Sequence, residues 1–381
     1  MALTEKGKLA LAKIREYFPQ GQFTAKELTD ACGERIVAAT LNSVAKAGYI
    51  TNLGGAPIQY QAAEDFILQF ENFLNEENSN CDNQNLRKAA KTKNDEFYTR
   101  YEDIEAEVMK YKSQFFGKVI YLPCDDPVDK KSEFWDFFVK NFNLFKLKTL
   151  IATHYDPNGN SYKIWINANG DEFIDDSDAK QEFLKGTGDF QSTECVELLK
   201  NCDIVCTNPP FSLFSELVNL ILKYNKDFLL IGSDNKITDK TIFPLFKEEK
   251  IRCGYNAVHK FKQPDGSIKE FGNIHWYTTL HTSKMDNRIF LTAQYSPSLY
   301  PKYDDMDIIE VGRVKNIPKD YAGWMGVPIS ILYNSDFSTN QFEIIGILHT
   351  PLVNLKEYNY GMPLINGKAK YARIIIRNRE I

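Results

Sequence analysis

The sequence has few of the features that mark a secreted, metal-binding or membrane protein. Its seven cysteines (32, 81, 124, 195, 202, 206 and 253) include no Cys-x-x-Cys pair, and their number is odd. That argues against a zinc site and against a disulfide framework, and leaves reduced, scattered thiols as the expectation. Cys202 and Cys206 straddle a strand and are expected in the core. There is no apolar run of the roughly 18 residues a membrane helix needs, and the first residues form no apolar leader, so a cytoplasmic protein is expected. Positive charge is not in excess: 46 Lys and Arg stand against 51 Asp and Glu, a net charge of −5, which disfavours indiscriminate nucleic-acid binding. No internal repeat is visible. What remains is ordinary globular composition, 43% hydrophobic and 25% charged over 381 residues, enough for two or three domains.

The most informative stretch is Asp203-Ile204-Val205-Cys206-Thr207-Asn208-Pro209-Pro210-Phe211. An apolar run of strand length ends at Thr207, and an Asn-Pro-Pro-aromatic tetrapeptide follows at once. Behind it Leu213, Leu217, Leu220 and Ile221 recur at helical spacing, so the tetrapeptide sits on a strand-to-helix turn. Open α/β sheets bind ligands outside the carboxyl ends of their strands. Pro209 and Pro210 have fixed φ and no N–H, which stiffens the loop and pushes Asn208 toward an extended conformation. The Asn208 side-chain carbonyl and the Pro209 backbone carbonyl can then point at one place. Two fixed acceptors suit the two N–H donors of an exocyclic amine, and Phe211 can lie against the ring that carries it. The bland alternative is an Asn-Pro turn before a helix. The tetrapeptide matches the signature of amino-methyltransferases, which use S-adenosylmethionine (AdoMet).

Residues 1–62 read as a separate small domain. Leu9, Leu11, Ile14 and Phe18 mark one helix, and a Thr-x-x-Glu capping box at 24–27 opens a second. A third helix is expected over 35–47, stopped by Gly48. Residues 49–53 and 58–61 around Gly54-Gly55 form a hairpin. Three helices and a hairpin resemble a winged helix-turn-helix, with Arg35, Asn42, Ser43 and Lys46 outward on a face that fits a DNA groove. Protein pairing is the competing use. A helix and a polar, asparagine-rich linker fill 63–92.

From 93 to about 285 strands and helices alternate. Strands are expected at 119–122, 149–153, 203–207, 228–231 and 274–280, and helices at 132–142, 193–200, 212–222 and 239–250. Hairpins are expected at 162–174 through Asn169-Gly170 and at 258–271. Such alternation means a mainly parallel sheet with helices on both faces. An AdoMet pocket needs an acid for the ribose hydroxyls and polar contacts for the adenine. Asp125 and Asp126 follow the first strand, Asp156 the second, Asp189 a glycine-rich turn and Asn208 the fourth. Beyond about 286 short strands (308–311, 342–348, 371–377) suggest a mostly β region appended to, or folded onto, that sheet. The last 14 residues hold Lys368, Lys370, Arg373, Arg377 and Arg379 against Glu380. This run is either a solvated face or a phosphate-contacting strand.

Over residues 91–366 the sequence resembles the EcoRI-type adenine-specific DNA methyltransferases. The resemblance is carried by the strings at 93–104 (Lys-Asn-Asp-Glu-Phe-Tyr-Thr-Arg-Tyr-Glu-Asp-Ile), 124–127 (Cys-Asp-Asp-Pro) and 150–153 (Leu-Ile-Ala-Thr). Further strings lie at 188–192 (Gly-Asp-Phe-Gln-Ser), 207–212 (Thr-Asn-Pro-Pro-Phe-Ser) and 317–328 (Ile-Pro-Lys-Asp-Tyr-Ala-Gly-Trp-Met-Gly-Val-Pro). It implies an α/β fold: a Rossmann-like AdoMet-dependent sheet (93–285) with a C-terminal, mostly β target-recognition region (286–381). It further implies methylation of the exocyclic amine of a flipped-out adenine in double-stranded DNA, without metal, and a cognate restriction endonuclease as a candidate partner. Phe97, Tyr98 and Thr99 match the segment lining the methionine end of AdoMet. Asp125 matches the acid after the first strand, although the usual Gly-x-Gly is missing there. Asp189 and Phe190 match the adenine-contacting pair, and Asn208, Pro209, Pro210 and Phe211 the catalytic tetrad. Asp156 is carried over on its position alone, and 1–62 lies outside the resemblance. Methylation of RNA or of a protein glutamine, and an inert DNA-binding regulator, stay open as alternatives.

Overall fold

A computed structural model describes residues 7, 10–11, 13–14, 18, 22–32, 35–47, 49–62, 98–125, 133–170, 174–263, 266–283, 287–334, 337–349 and 358–381. The linker expected over 63–92, Phe97 and Asp126 lie outside the described residues. The chain divides into two units, Met1–Lys93 and Asn94–Ile381.

In the first unit, β1 (Gln22–Thr24) leads into α1 (Ala25–Cys32), then α2 (Ala38–Lys46), β2 (Ile50–Gly54) and β3 (Gln59–Ala62). The strands form an antiparallel sheet in the order β1-β3-β2. The capping box is present: the Thr24 amide donates to Glu27 Oε2 (2.8 Å), and the Glu27 amide to Thr24 Oγ1 (3.2 Å). Leu11, Ile14, Phe23, Leu28, Leu41, Val44 and Tyr60 fill the core. Two expectations need correcting. The last helix begins at Ala38 rather than 35, which leaves Arg35 exposed ahead of it. Asn42 does not turn its side-chain oxygen outward: Oδ1 accepts from Asn52 Nδ2 (2.7 Å) and Tyr60 Oη (3.0 Å), tying α2 to the hairpin. Lys46 is exposed.

The second unit is built on an eight-stranded sheet. Its centre is parallel: β5 (Val119–Leu122), β6 (Thr149–His154), β9 (Ile204–Thr207) and β10 (Asp227–Ser233), in the order β10-β9-β5-β6. Antiparallel strands extend both edges, β7 (Tyr162–Asn167) and β8 (Lys180–Phe183) beyond β6, β14 (Ile274–Thr278) and β11 (Arg252–Ala257) beyond β10. Period-two alternation sorts the side chains. Ile120, Leu122, Ile204, Cys206, Leu229 and Ile231 face α3 (Tyr101–Val108) and the aromatic α4 (Glu133–Lys140). Tyr121, Val205 and Leu230 face α5 (Thr193–Asn201), α6 (Phe214–Lys223) and α7 (Phe243–Lys247). Burial pushes the Cys202 thiol up to about 12 and the Cys206 thiol well above its usual range, so both behave as protonated core residues.

A four-stranded sheet follows: β15 (Ile308–Glu310), β16 (Trp324–Pro328), β17 (Phe342–Leu348) and β20 (Arg373–Asn378), in the order β15-β16-β20-β17. Its Ile309, Met325, Val327, Ile374 and Ile376 share one core with Tyr121, Val205 and Leu217. The β-rich region is therefore folded onto one face of the large sheet. Glu107 of α3 is fully buried and locks β11 in place, accepting from the Tyr255 and Asn256 amides and the Tyr111 hydroxyl, each at 2.8 Å. Burial outweighs those bonds and raises the Glu107 carboxyl above its usual range.

Two elements differ from the sequence reading. The partner of β7 is 180–183, not 172–174, because residues 176–178 form a 3₁₀ turn in between. The helix expected over 239–250 shrinks to Phe243–Lys247, since Pro244 is accommodated only in its first turn.

Candidate active site

The parallel strands place their carboxyl ends on one edge, and the connections reverse direction there. From β5 the chain crosses through α4 to β6 on one side, whereas β9 lies on the other side of β5. The crevice between β5 and β9 is a topological switch point, where α/β sheets take ligands. The loops after these strands carry Asp125 and Asn208.

Asp125 is buried, 6% exposed. Its Oδ2 accepts from the Thr207 hydroxyl and from the Asn208 amide (2.7 Å). One carboxylate oxygen thus fixes the last residue of β9 and the first residue of the Asn-Pro-Pro-Phe loop. Proline supplies no donors beyond that point, and the Leu213 amide closes the turn on the Pro210 carbonyl (2.9 Å), just ahead of α6. Pro209 is buried, Pro210 exposed, and Asn208 and Phe211 half-buried. Phe211 packs on the rim of the core beneath α3 and α4 and keeps part of its surface exposed.

The glycine-rich turn is pinned beside the end of β6. The Asp156 amide donates to the Thr187 carbonyl (3.0 Å), Ser161 Oγ donates to the Gly186 carbonyl, and Glu194 accepts from the Gly186 amide (2.9 Å). Gly188 has φ +75°, and a Cβ there would collide with the His154 carbonyl. The turn sets Asp189 at the start of α5, its Oδ1 accepting from the Gln191 amide (2.7 Å), with Ser192 as the helix cap. Phe190 is buried with Tyr121, Ile151 and Leu199. Asp156 is half-buried, and its carboxylate is held below its usual range by the Asn158 amide (2.8 Å) and Asn160 Nδ2 (3.0 Å).

Tyr98 and Thr99 form a short strand, β4, antiparallel to β12 (Lys260–Lys262) of the 260–270 hairpin. Glu133 joins these pieces: it accepts from the Tyr101 amide (3.1 Å) and pairs with Lys262. Thr99 is 1% exposed, and its hydroxyl finds no partner among the described residues. An orphaned buried hydroxyl is costly unless a ligand or water satisfies it, and Thr99 lies in the segment expected to line the methionine end of AdoMet. The residues present fit that cofactor. Among the described residues no group of three His, Cys, Asp or Glu side chains could hold a metal, and no helix is long and apolar enough to cross a membrane.

A second constellation on this edge was missed in the sequence, though its acid gives the same signal as Asp125, a carboxylate just after a parallel strand. Asp234 follows β10 and accepts or shares a proton with His275 Nδ1 at 2.6 Å. The His275 ring stacks on Tyr333 (3.8 Å, 3°) from the β-rich region.

In the basic C-terminus the two candidate arginines of the strand are engaged with carboxylates. Arg373 is buried and makes a two-pronged pair with Glu310 (2.8 and 3.1 Å), to which Tyr303 also donates. Arg377 pairs with Glu343 (2.5 Å) at the surface. Arg373 and Arg377 stand on the same face of β20, four residues apart, yet one is buried and the other exposed, so the sequence run conceals two different situations. Lys368 and Lys370 are exposed.

A mixed α/β sheet with an Asn-Pro-Pro-aromatic loop at its switch point defines a methyltransferase-type site. The comparisons agree: residues 85–379 match the family described as adenine-specific methyltransferase EcoRI. The chain belongs to this family, and it is a DNA adenine methyltransferase. It is 38% identical over 333 residues to the type II methyltransferase M.EcoRI of Escherichia coli, covering 79% of this chain and 98% of that protein. It is 35% identical over 325 residues to the type II methyltransferase M.MpnI of Mycoplasma pneumoniae, covering 77% and 98%. No solved structure matches. The family match starts at 85, so 1–62 is additional to it.

Proposed function

We propose that the enzyme transfers a methyl group from AdoMet to N6 of an adenine flipped out of double-stranded DNA at a specific site. The carrying observation is the Asn208-Pro209 loop held against Asp125 at the β5–β9 switch point. Bound AdoMet supplies an electrophilic methyl group on sulfur. Asn208 Oδ1 and the Pro209 carbonyl accept the two N6 hydrogens, which draws the nitrogen toward tetrahedral geometry and aims its lone pair. An aniline-like amine needs that help because its lone pair is delocalised into the ring. Pro210 stiffens the loop, and Phe211 offers a stacking face to the extruded base, whose flipping costs a few kcal/mol. Tyr98 and Thr99, with Phe97, line the methionine end; Asp189, Phe190 and Asp156 serve the adenosine. Asp125 acts chiefly by holding Thr207 and Asn208. Proximity of two bound reactants supplies much of the rest of the rate.

In this reading 93–285 is a Rossmann-like catalytic region and 286–381 reads the target. Residues 1–62 are a winged helix in which Arg35 and Lys46 remain the candidates for DNA. The enzyme acts in the cytoplasm as a type II modification activity, and a cognate endonuclease is its natural partner. Incubation with tritiated AdoMet and duplex DNA, RNA or protein tests this, followed by mapping of the modified base. Label in duplex adenine N6 at one sequence is expected; label in RNA or protein alone would overturn it.

A further inference from the structure

One surface next to the active-site edge is unexplained by the reaction itself. A shallow groove of about 570 Å³ runs along the carboxyl ends of β15 and β16, lined by Arg313, Lys315, Ser330, Tyr333 and Asn334. Its wall, Tyr333, is the residue stacked on His275, and His275 pairs with Asp234 at the carboxyl end of β10. β10 is the immediate parallel neighbour of β9, which carries Asn208. The groove therefore flanks the edge at which the target base is handled.

Its rim is also cationic. Arg313 and Lys315 are exposed, and neither has a carboxylate partner among the described residues. Every other arginine from 287 to 381 is paired: Arg288 with Glu380 (2.5 Å), Arg373 with Glu310, Arg377 with Glu343 and Arg379 with Glu249 (3.9 Å). In a chain of net charge −5, an uncompensated pair of cations at one rim is a place where a polyanion gains most and a protein carboxylate has not been supplied. Guanidinium and ammonium groups with hydroxyl neighbours are phosphodiester ligands.

We infer that the 312–334 groove holds the sugar–phosphate backbone of the DNA beside the flipped adenine, with Arg313 and Lys315 each contacting a phosphate. This rests on the duplex-DNA reading above and adds the surface that grips the duplex.

The test is DNA affinity against salt for the full-length protein and for Arg313→Gln/Lys315→Gln, which keeps long polar side chains at two exposed positions. AdoMet calorimetry and thermal melting report that the variant is folded. Losing two phosphate contacts should make the slope of log K against log salt shallower by about 1.8, and weaken binding roughly 60-fold near 0.1 M salt. AdoMet affinity should be unchanged. Ethylation of individual phosphates should interfere with wild-type binding at positions where the variant no longer responds. A folded variant with the wild-type slope would overturn the groove while leaving the enzyme reading intact. A wild-type protein that binds and methylates no duplex would remove both.

Discussion

Two carboxylates, Asp125 buried and Glu310 partly buried, serve opposite ends in this molecule. At the switch point, Asp125 accepts from a hydroxyl and a backbone amide, both neutral. It fixes where the Asn-Pro-Pro-Phe loop begins. In the β-rich region, Glu310 meets a guanidinium and a phenol, and the charges of Glu310 and Arg373 cancel. The first arrangement positions a functional loop; the second takes a cation out of function and uses it to hold β15 to β20. The lesson is that a charged residue's role depends on what faces it, which lies elsewhere in the chain.

The comparison can be broken most forcefully at Arg373. Removing one partner of a buried pair strands the other, so Arg373→Ala should cost about 3–5 kcal/mol of stability by urea unfolding. DNA binding by the folded fraction should keep its salt slope; a loss of slope with little loss of stability would restore Arg373 as a phosphate ligand. Next comes Asn208→Ala, which should lower turnover by about two to three orders of magnitude with little change in AdoMet affinity. Near-normal single-turnover rates would remove the loop from the mechanism.

Asp125→Ala should show both kinds of effect. It removes the acceptor shared by the Thr207 hydroxyl and the Asn208 amide, a loss of about 1–3 kcal/mol for each bond, and turnover should fall even at saturating AdoMet. A purely cofactor-binding Asp125 would change only the AdoMet dissociation constant.

Glu107 offers a pH test. Its folded carboxyl is raised above the ordinary 4.5, so folding favours the protonated form. That contribution is fully present below the unfolded value and is lost as pH rises through the folded one. Unfolding free energies of wild type and Glu107→Gln, measured from acid to neutral pH, should give a wild-type advantage that shrinks as pH rises. An advantage that grows instead would mean the hydrogen bonds outweigh burial. The smallest effect belongs to Arg377→Ala: its exposed pair with Glu343 should be worth about 1 kcal/mol or less, and less still in high salt.

Where backbone chemistry decides, the sequence was a good guide. The run 203–207 became β9, the prolines marked its end, and the Thr24–Glu27 box formed as read. Alternation placed Tyr121 and Val205 on one face, Ile120 and Ile204 on the other. Where a partner decides, it was a poor guide. Nothing near Asn42 announces Asn52 and Tyr60, and nothing near Arg373 announces Glu310, 63 residues away. Asp125 was placed correctly after β5, but its engagement with Thr207, 82 residues on, follows only from the sheet order. Arg313 and Lys315 give no compositional signal, being two cations without a run.

Gly188 carries a consequence for anyone who diversifies this enzyme. Its left-handed backbone disfavours every side chain, and the nearby His154 carbonyl excludes even a methyl group. Relief would require sliding the end of β6 away from the 186–190 turn, which would move Asp189 relative to Asp125. The position stores no contact, only a prohibition. In a pool containing all twenty residues there, selection for methylation should return glycine alone, and a deep-sequencing readout would show the column as silent as that of an essential catalytic group.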